Sequence, residues 1–212
     1  MYPTSPLDKL IGAADNALRT LLGGYQVTGR ADPSADIAEP ELSEQERKHA
    51  AGLMRINHCG EVCAQALYQG QAMTAKLPQV RHQMELAAAE ENDHLQWCAD
   101  RLDNLQSHTS LLNPLWYVSS LSIGAIAGKL GDKWSLGFVA ETEHQVVKHL
   151  QEHLDKLPAG DIKSRKVITQ MEEDEQHHAD TAIEAGGAEL PAPIKTMMKG
   201  MAKVMTKTVY WV

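Results

Sequence analysis

The chain has 212 residues and a formal net charge of −8, with 43% apolar residues but only 5% aromatic ones. No sustained basic stripe is present to displace the counterions of a phosphate backbone, which excludes nucleic acid as a partner. With a single Phe, the core has to come from Leu, Ala, Val, Ile and nine Met, a set that leans towards helices.

Leu7, Leu10, Ile11, Ala14, Leu18, Leu21 and Leu22 recur at helical spacing and predict an amphipathic first helix, ended by Gly23-Gly24. No secretory signal is expected here, because Asp8, Lys9 and Asp15 interrupt the apolar run. Thr28 to Pro40 reads as a linker, so residues 1–42 form one helix and a connection. Ser43 and Glu46 make a capping-box pair that opens a helix running to about Lys76 and stopped by Pro78. A second helix is expected from about Val80 to Gln106, followed by a break over Ser107 to Pro114. A third runs from about Ser135 to Leu157, ended by Pro158 and Gly160. The fourth runs from Ile162 to Ala185, with Gly186-Gly187 as its C-cap. These four long helices, without an alternating strand pattern, predict an all-α four-helix bundle over residues 43–190.

Two segments lie outside the four. Thr109 to Gly128 has no charged residue and forms an apolar insert at about 109–130. It is long enough to cross a bilayer, yet Asn113, Pro114 and four serines make it a poor spanning helix. A buried connecting helix is the plainer alternative. In residues 191–212, Met197, Met198, Met201, Val204 and Met205 alternate with Lys195, Lys199, Lys203 and Lys207. This predicts an amphipathic helix, packed on the bundle or lying at a membrane interface. Gly124 to Lys129 superficially suggests a phosphate loop, but it is one residue short and lacks Ser or Thr after the lysine.

The chemistry is carried by two ExxH pairs, Glu91 with His94 and Glu175 with His178. Residues at this spacing share a helix face, their Cβ atoms about 5–6 Å apart. One such pair is a weak signal in a chain this rich in acid and histidine. The stronger feature is a near-repeat: Glu61 precedes Glu91 by 30 residues, and Glu143 precedes Glu175 by 32. One Glu from each of two helices and ExxH from each of two others is the donor set of two-metal carboxylate bundles. Four carboxylates with two imidazoles suit iron or manganese, and they balance two divalent ions. Unpaired in a core, the same carboxylates would be strongly disfavoured. Glu141 with His144, and Asp174 with His177, offer shifted frames. Glu143 is preferred for its offset and His178 for its Glu partner. Glu90, Asp93, His144 and His177 then read as groups that support the ligands or face solvent. His58 and His149 either orient ligands or are ordinary helix histidines. Cys59, Cys63 and Cys98 cannot build a disulfide framework and point to a reducing compartment.

Asn57-His-Cys-Gly-Glu61, continuing to Tyr68-Gln-Gly-Gln71, resembles the NHAGE…IYxGQ signature of the demethoxyubiquinone hydroxylases. The runs EENDHL around Glu91, VAETEHQVVKHL around Glu143 and EDEQHHAD around Glu175 resemble that family's later signatures. The resemblance covers about Leu53 to Ala185 and implies a ferritin-like bundle. Its two iron ions would be held by Glu61, Glu91, His94, Glu143, Glu175 and His178, with Glu91 and Glu175 bridging. It further implies O2-dependent hydroxylation of a polyprenylated methoxy-methyl-benzoquinol in ubiquinone biosynthesis. The implied setting is peripheral, on the cytoplasmic face of the inner membrane, with the apolar insert dipping into one leaflet. Electrons would come from NADH or a separate reductase. Other ubiquinone-biosynthesis proteins and further copies of the chain are candidate partners. There are departures: Cys59 and Cys63 stand where the family often has Ala and Gly, and read as small buried hydrophobes rather than a thiolate site. Leu150 follows His149 where some relatives carry Tyr, so no role for that tyrosine carries over. The alternative readings are a ferritin-type ferroxidase or iron-binding bundle, and a metal-free helical interaction module.

Overall fold

The structure is a computed structural model that describes residues 6–212; residues 1–5, and the side chains of Pro6, Lys9 and Leu10, lie outside the described residues. The contribution of Leu10 to the expected apolar face of the first helix is therefore outside them too. Among the described residues there are seven helices and no strand: α1 Pro6–Leu22, α2 Glu44–Thr74, α3 Pro78–Asn104, α4 Asn113–Leu130, α5 Asp132–Lys156, α6 Ile162–Glu184 and α7 Ala192–Val209.

Local chemistry sets most of these boundaries. Ser43 Oγ accepts the Glu46 N–H, and the Glu46 carboxylate accepts the Ser43 N–H at 2.9 Å, which closes the capping box of α2. Pro78 is the first residue of α3 rather than only the stop to α2, since a proline's missing N–H has no intrahelical partner at that position. Asp161 caps α6 by accepting the Ser164 N–H at 3.0 Å. The third bundle helix starts at Asp132, three residues earlier than expected. Gly131, at φ +120°, turns the chain from α4 to α5 in a single residue.

Helices α2 and α3 form one hairpin, α5 and α6 another, and the two hairpins pack together. The core divides along the bundle axis. One apolar layer contains Met54, Trp97, Cys98, Leu102, Leu150, Ile168 and Met171, and the other Tyr68, Val80, Met84, Leu136, Val139 and Ala182. On each of the four helices the candidate ligand positions fall between these layers.

Helix α4 lies against α2 almost backbone to backbone. A Cβ on Gly124 would sit 2.9 Å from Leu67 Cα, and one on Gly70 would sit 2.7 Å from the Ala125 nitrogen. Only one face of α4 is covered, through Tyr117, Ser120, Gly124, Ala127 and Gly128. Leu111, just ahead of it, and Leu115, Val118, Ile126 and Leu130 are exposed. The insert is thus not a buried connecting helix. Among the described residues, no helix is long and apolar enough to cross a membrane. Helix α7 rests on α2 and α5, with Val209 buried against Ile56 and Cys59.

Candidate metal centre

Between the two apolar layers, Glu61, Glu91, His94 and Glu175 bring one ligand atom each to within 4.8 Å of one another. His94 Nδ1 lies 3.1 Å from Glu175 Oε1, 3.3 Å from Glu91 Oε2 and 3.7 Å from Glu61 Oε2. His178 Nδ1 lies 3.0 Å from Glu175 Oε2 and 3.5 Å from Glu91 Oε1. Glu91 and Glu175 therefore each offer one oxygen to each imidazole. Glu143 stands beside this group rather than within it, and Tyr68 donates its hydroxyl to Glu143 Oε1 at 2.6 Å. All six side chains are buried.

The outer nitrogens of the two imidazoles are held crosswise. His94 Nε2 donates to Asp174 Oδ2 at 2.9 Å, and His178 Nε2 to Glu90 Oε2 at 2.7 Å. The acid just ahead of each ExxH pair thus holds the histidine of the other pair. This leaves both Nδ1 atoms to face the centre. Glu90, expected to support a ligand or face solvent, accepts from His178 with its side chain 42% exposed. From sequence Asp174 stands out only as part of a shifted frame; the acid immediately preceding each ExxH is the available signal.

Burial pushes the Glu61 and Glu143 carboxyls well above the usual carboxylate range, and the charges of Glu91 and Glu175 push the same way. Burial acts upward on Glu91 too, but hydrogen bonds from His178 and His94 outweigh it and leave that carboxyl below its ordinary value. For His94 and His178 burial acts downward, and is outweighed by the hydrogen bonds that the first donates to Asp174 and Glu175 and the second to Glu175 and Glu90. Both imidazoles end well above their ordinary range. Glu143 Oε2 is buried without a hydrogen-bond partner, and Glu91 Oε1 and Glu175 Oε1 make no well-aligned bond, their nearest donors being the imidazole Nδ1 atoms at 3.5 and 3.1 Å. Three poorly satisfied carboxylate oxygens in one layer are costly in a protein interior, and cations are the partners that their geometry and hardness fit.

The shifted frames do not point inward. His144 and His177 are exposed, and Glu141 pairs with Lys195 at 3.2 Å. Asp93, expected to support a ligand or face solvent, does neither: it is fully buried and accepts the Thr28 N–H at 2.8 Å. His58 pairs with the Tyr25 hydroxyl at 2.9 Å and with Asn113, and burial pulls its pKa down to about 4. His149 packs on His153 with ring centroids 3.9 Å apart, and its Nε2 is unpartnered. Cys59 is a small buried side chain as expected. Cys63, half-buried, lines a cleft instead.

That cleft has a volume of about 700 Å³ and runs between α2, α4, α5 and α7. Glu61, Cys63, Trp116, Phe138, Val146 and Met201 are among its lining residues. A smaller pocket of about 150 Å³ meets the centre elsewhere, at Tyr68, Glu90 and His178.

The sequence model described as "Ubiquinone biosynthesis protein COQ7" matches residues 48–209. A protein named 3-demethoxyubiquinol 3-hydroxylase from Nitrosococcus oceani is 58% identical over 208 residues, covering 98% of this chain and 97% of its own. Proteins of the same name from Acinetobacter baumannii (58% identical, 97% of each chain) and Pseudomonas fluorescens (59% identical, 97% of this chain and 96% of its own) are equally similar.

Proposed function

The chain belongs to the COQ7 family of ubiquinone biosynthesis proteins, and from that premise we propose that it is an O2-dependent hydroxylase of a polyprenylated methoxy-methyl-benzoquinol. In this reading Glu61, Glu91, His94, Glu143, Glu175 and His178, in the ferritin-like bundle of residues 43–190, hold two iron ions. The observation that carries it is the meeting, at Glu61, of a buried carboxylate–imidazole layer with an apolar cleft of about 700 Å³. A cleft of this size suits an organic ring and the start of its tail. A ferroxidase, handling ions alone, has no use for it.

Bound there, the iron pair would supply the oxygen activation that no side chain here provides. The protein's own groups do the rest. Glu91 and Glu175, each facing both imidazoles, would be shared between the two metals, with Glu61 and Glu143 completing the set. Asp174 and Glu90 keep the Nε2 protons in place, so both Nδ1 atoms point inward and would offer their lone pairs once the Nδ1 protons give way to bound ions. Burial and the Glu143 charge hold the Tyr68 phenol well above its ordinary pKa, so it remains a donor to Glu143 and does not act as a base. The apolar layers exclude water, and the cleft walls set the ring beside Glu61.

Exposed Met197 and Met201 on α7 line the cleft itself, and Val204 on α7 with Leu115, Val118 and Ile126 on α4 adds exposed apolar surface on the same two helices. They suit peripheral docking on the cytoplasmic face of a membrane, from which a prenylated quinol would enter. Exposed Lys199, Lys203 and Lys207 would each add about 1 kcal/mol of attraction to anionic headgroups. NADH or a separate reductase would supply the electrons.

The test is turnover of reduced, iron-loaded protein with prenylated quinol under 18O2. One labelled oxygen is expected in the ring, and only when reductant and quinol are both present. Quinol recovered unchanged, beside rapid multi-turnover oxidation of added Fe(II), would move the assignment to a ferritin-type ferroxidase.

A further inference from the structure

The six candidate ligands all lie within the stretch that matches the family, residues 48–209, whereas α1 and the segment after it precede that stretch. That segment, residues 23–43, nevertheless runs over the outer side of the metal centre. Tyr25 pairs with His58. The Thr28 N–H and hydroxyl both donate to Asp93, the residue before His94, at 2.8 and 2.5 Å. Glu39 accepts from Arg101 at 2.7 Å. Between these anchors, Arg30 lays its guanidinium 5.1 Å from the centre of the Trp97 ring and donates through Nη2 to Asp174 Oδ2 at 2.7 Å. The same oxygen accepts the His94 Nε2–H, and Gln170 donates to the other oxygen at 3.1 Å.

Nothing equivalent braces the second imidazole. Glu90 accepts from His178 and, among the described residues, from no other group. Its side chain is 42% exposed, against 15% for Asp174. Arg30 acts on Glu90 only through space.

We propose that Arg30 is a positioning residue of the metal centre: by fixing Asp174 and drawing on its charge, it sets how His94 binds its metal and makes the two metal positions unequal. The proposal rests on the two-metal reading above. A carboxylate on the outer N–H of a metal-bound imidazole pulls on that proton and makes the ring a stronger donor. A guanidinium on the same carboxylate oxygen withdraws part of that effect and locks the oxygen in place. His94 is then a stiffer and less electron-rich ligand than His178. The metal beside it holds its lower oxidation state more readily. Removing the guanidinium frees Asp174 and also deletes a nearby positive charge, and both changes favour the ferric ion.

The experiment compares the full iron-loaded chain with Arg30→Gln and Arg30→Lys. It reads anaerobic release of iron to a chelator, midpoint potentials by redox titration, and melting of the metal-free proteins. For Arg30→Gln, the lost lock on Asp174 should outweigh the stronger donation, so that one of the two ions leaves about tenfold faster while the other stays within about twofold. One midpoint potential should fall, by about 59 mV for each tenfold gain in ferric over ferrous preference. Arg30→Lys should recover part of both effects, and the metal-free melting points should match the parent. Unchanged release and potentials would overturn the proposal. Equal acceleration of both ions with a lower melting point would also overturn it, by reducing Arg30 to a structural clamp. A parent chain that never binds two ions would instead remove the two-metal reading itself.

Discussion

Tyr68→Phe isolates one hydrogen bond at the heart of the proposed centre. The ring packs with Val80, Met84, Leu136 and Val139 and is 1% exposed, so phenylalanine keeps nearly all of the packing. What disappears is the 2.6 Å bond to Glu143 Oε1. Because Glu143 Oε2 has no partner, the carboxylate is left with no hydrogen bond at all. A bond to a charged group contributes about 1.5–3 kcal/mol, and at 1.36 kcal/mol per decade that is about ten- to a hundredfold in the affinity of whatever needs Glu143 ionised. The same range is found when groups supporting metal ligands are removed. The metal-free protein should lose less, about 1 kcal/mol, because burial already favours the neutral acid there and a bond to a neutral acid is weaker. The assay is competitive Mn(II) and anaerobic Fe(II) titration against a chromophoric chelator, with urea unfolding of the metal-free protein in parallel. Metal affinity within threefold of the parent, together with metal-free destabilisation of the full 1.5–3 kcal/mol, would refute the reasoning and make Tyr68 a core residue only.

Glu91→Ala and Glu175→Ala should abolish the paired-metal spectrum, since each carboxylate faces both imidazoles, whereas His177→Ala should keep it. The reverse pattern for His177→Ala and His178→Ala would mean that the frame of α6 is wrong. His58, neutral and buried, has its pKa depressed to about 4 from 6.5. Its contribution is complete above pH 6.5 and is lost as the pH falls from there towards 4, by about 3 kcal/mol at the limit. Urea midpoints should therefore drop over that window and drop less in His58→Gln; parallel pH profiles would contradict this. Gly124→Ala puts a methyl 2.9 Å from Leu67 Cα, where no side chain can rotate away. It should cost about 1–3 kcal/mol, and parental stability would show that α2 and α4 sit further apart. Vesicle flotation should survive high salt but weaken in Leu115→Asp with Val118→Asp; a parent chain that never floats would remove the membrane assignment.

The bundle helices were legible because their signals are local. The capping box at Ser43, the breaks at Pro78 and Pro158 and the C-cap at Gly186-Gly187 all act within a few residues. The candidate site was legible for the same reason: an i, i+3 pair needs only the helix to place it, and the offsets 30 and 32 align the two halves. What stayed hidden depends on register between distant segments. Arg30 meets Asp174 across 144 residues, and Thr28 meets Asp93 across 65. An apparent linker gives no periodicity from which to read such docking. The apolar composition of Thr109–Gly128 was visible, but not which side would be covered. That is decided by the fit of Gly124 and Gly128 against α2.

The near-repeat also explains why the centre forms with the fold rather than before it. Each imidazole is oriented by an acid from the opposite hairpin, His94 by Asp174 of α6 and His178 by Glu90 of α3. Neither ExxH pair is oriented until the two hairpins dock, and docking closes the apolar layers above and below. Taken alone, that arrangement is close to two-fold symmetric and offers no reason for an organic ring to prefer one side. The asymmetry comes from the elements outside the repeat. Helices α4 and α7 build the cleft against α2 and α5, where Glu61 lies, while the segment before α2 closes the Asp174 side with Arg30. The Glu90 side keeps only the small pocket at Tyr68 and His178. On the proposed reading, substrate access and metal tuning would fall to different additions to one near-symmetric core, so that changing α4 or α7 should alter quinol selectivity without moving the metal affinities proposed to depend on Arg30.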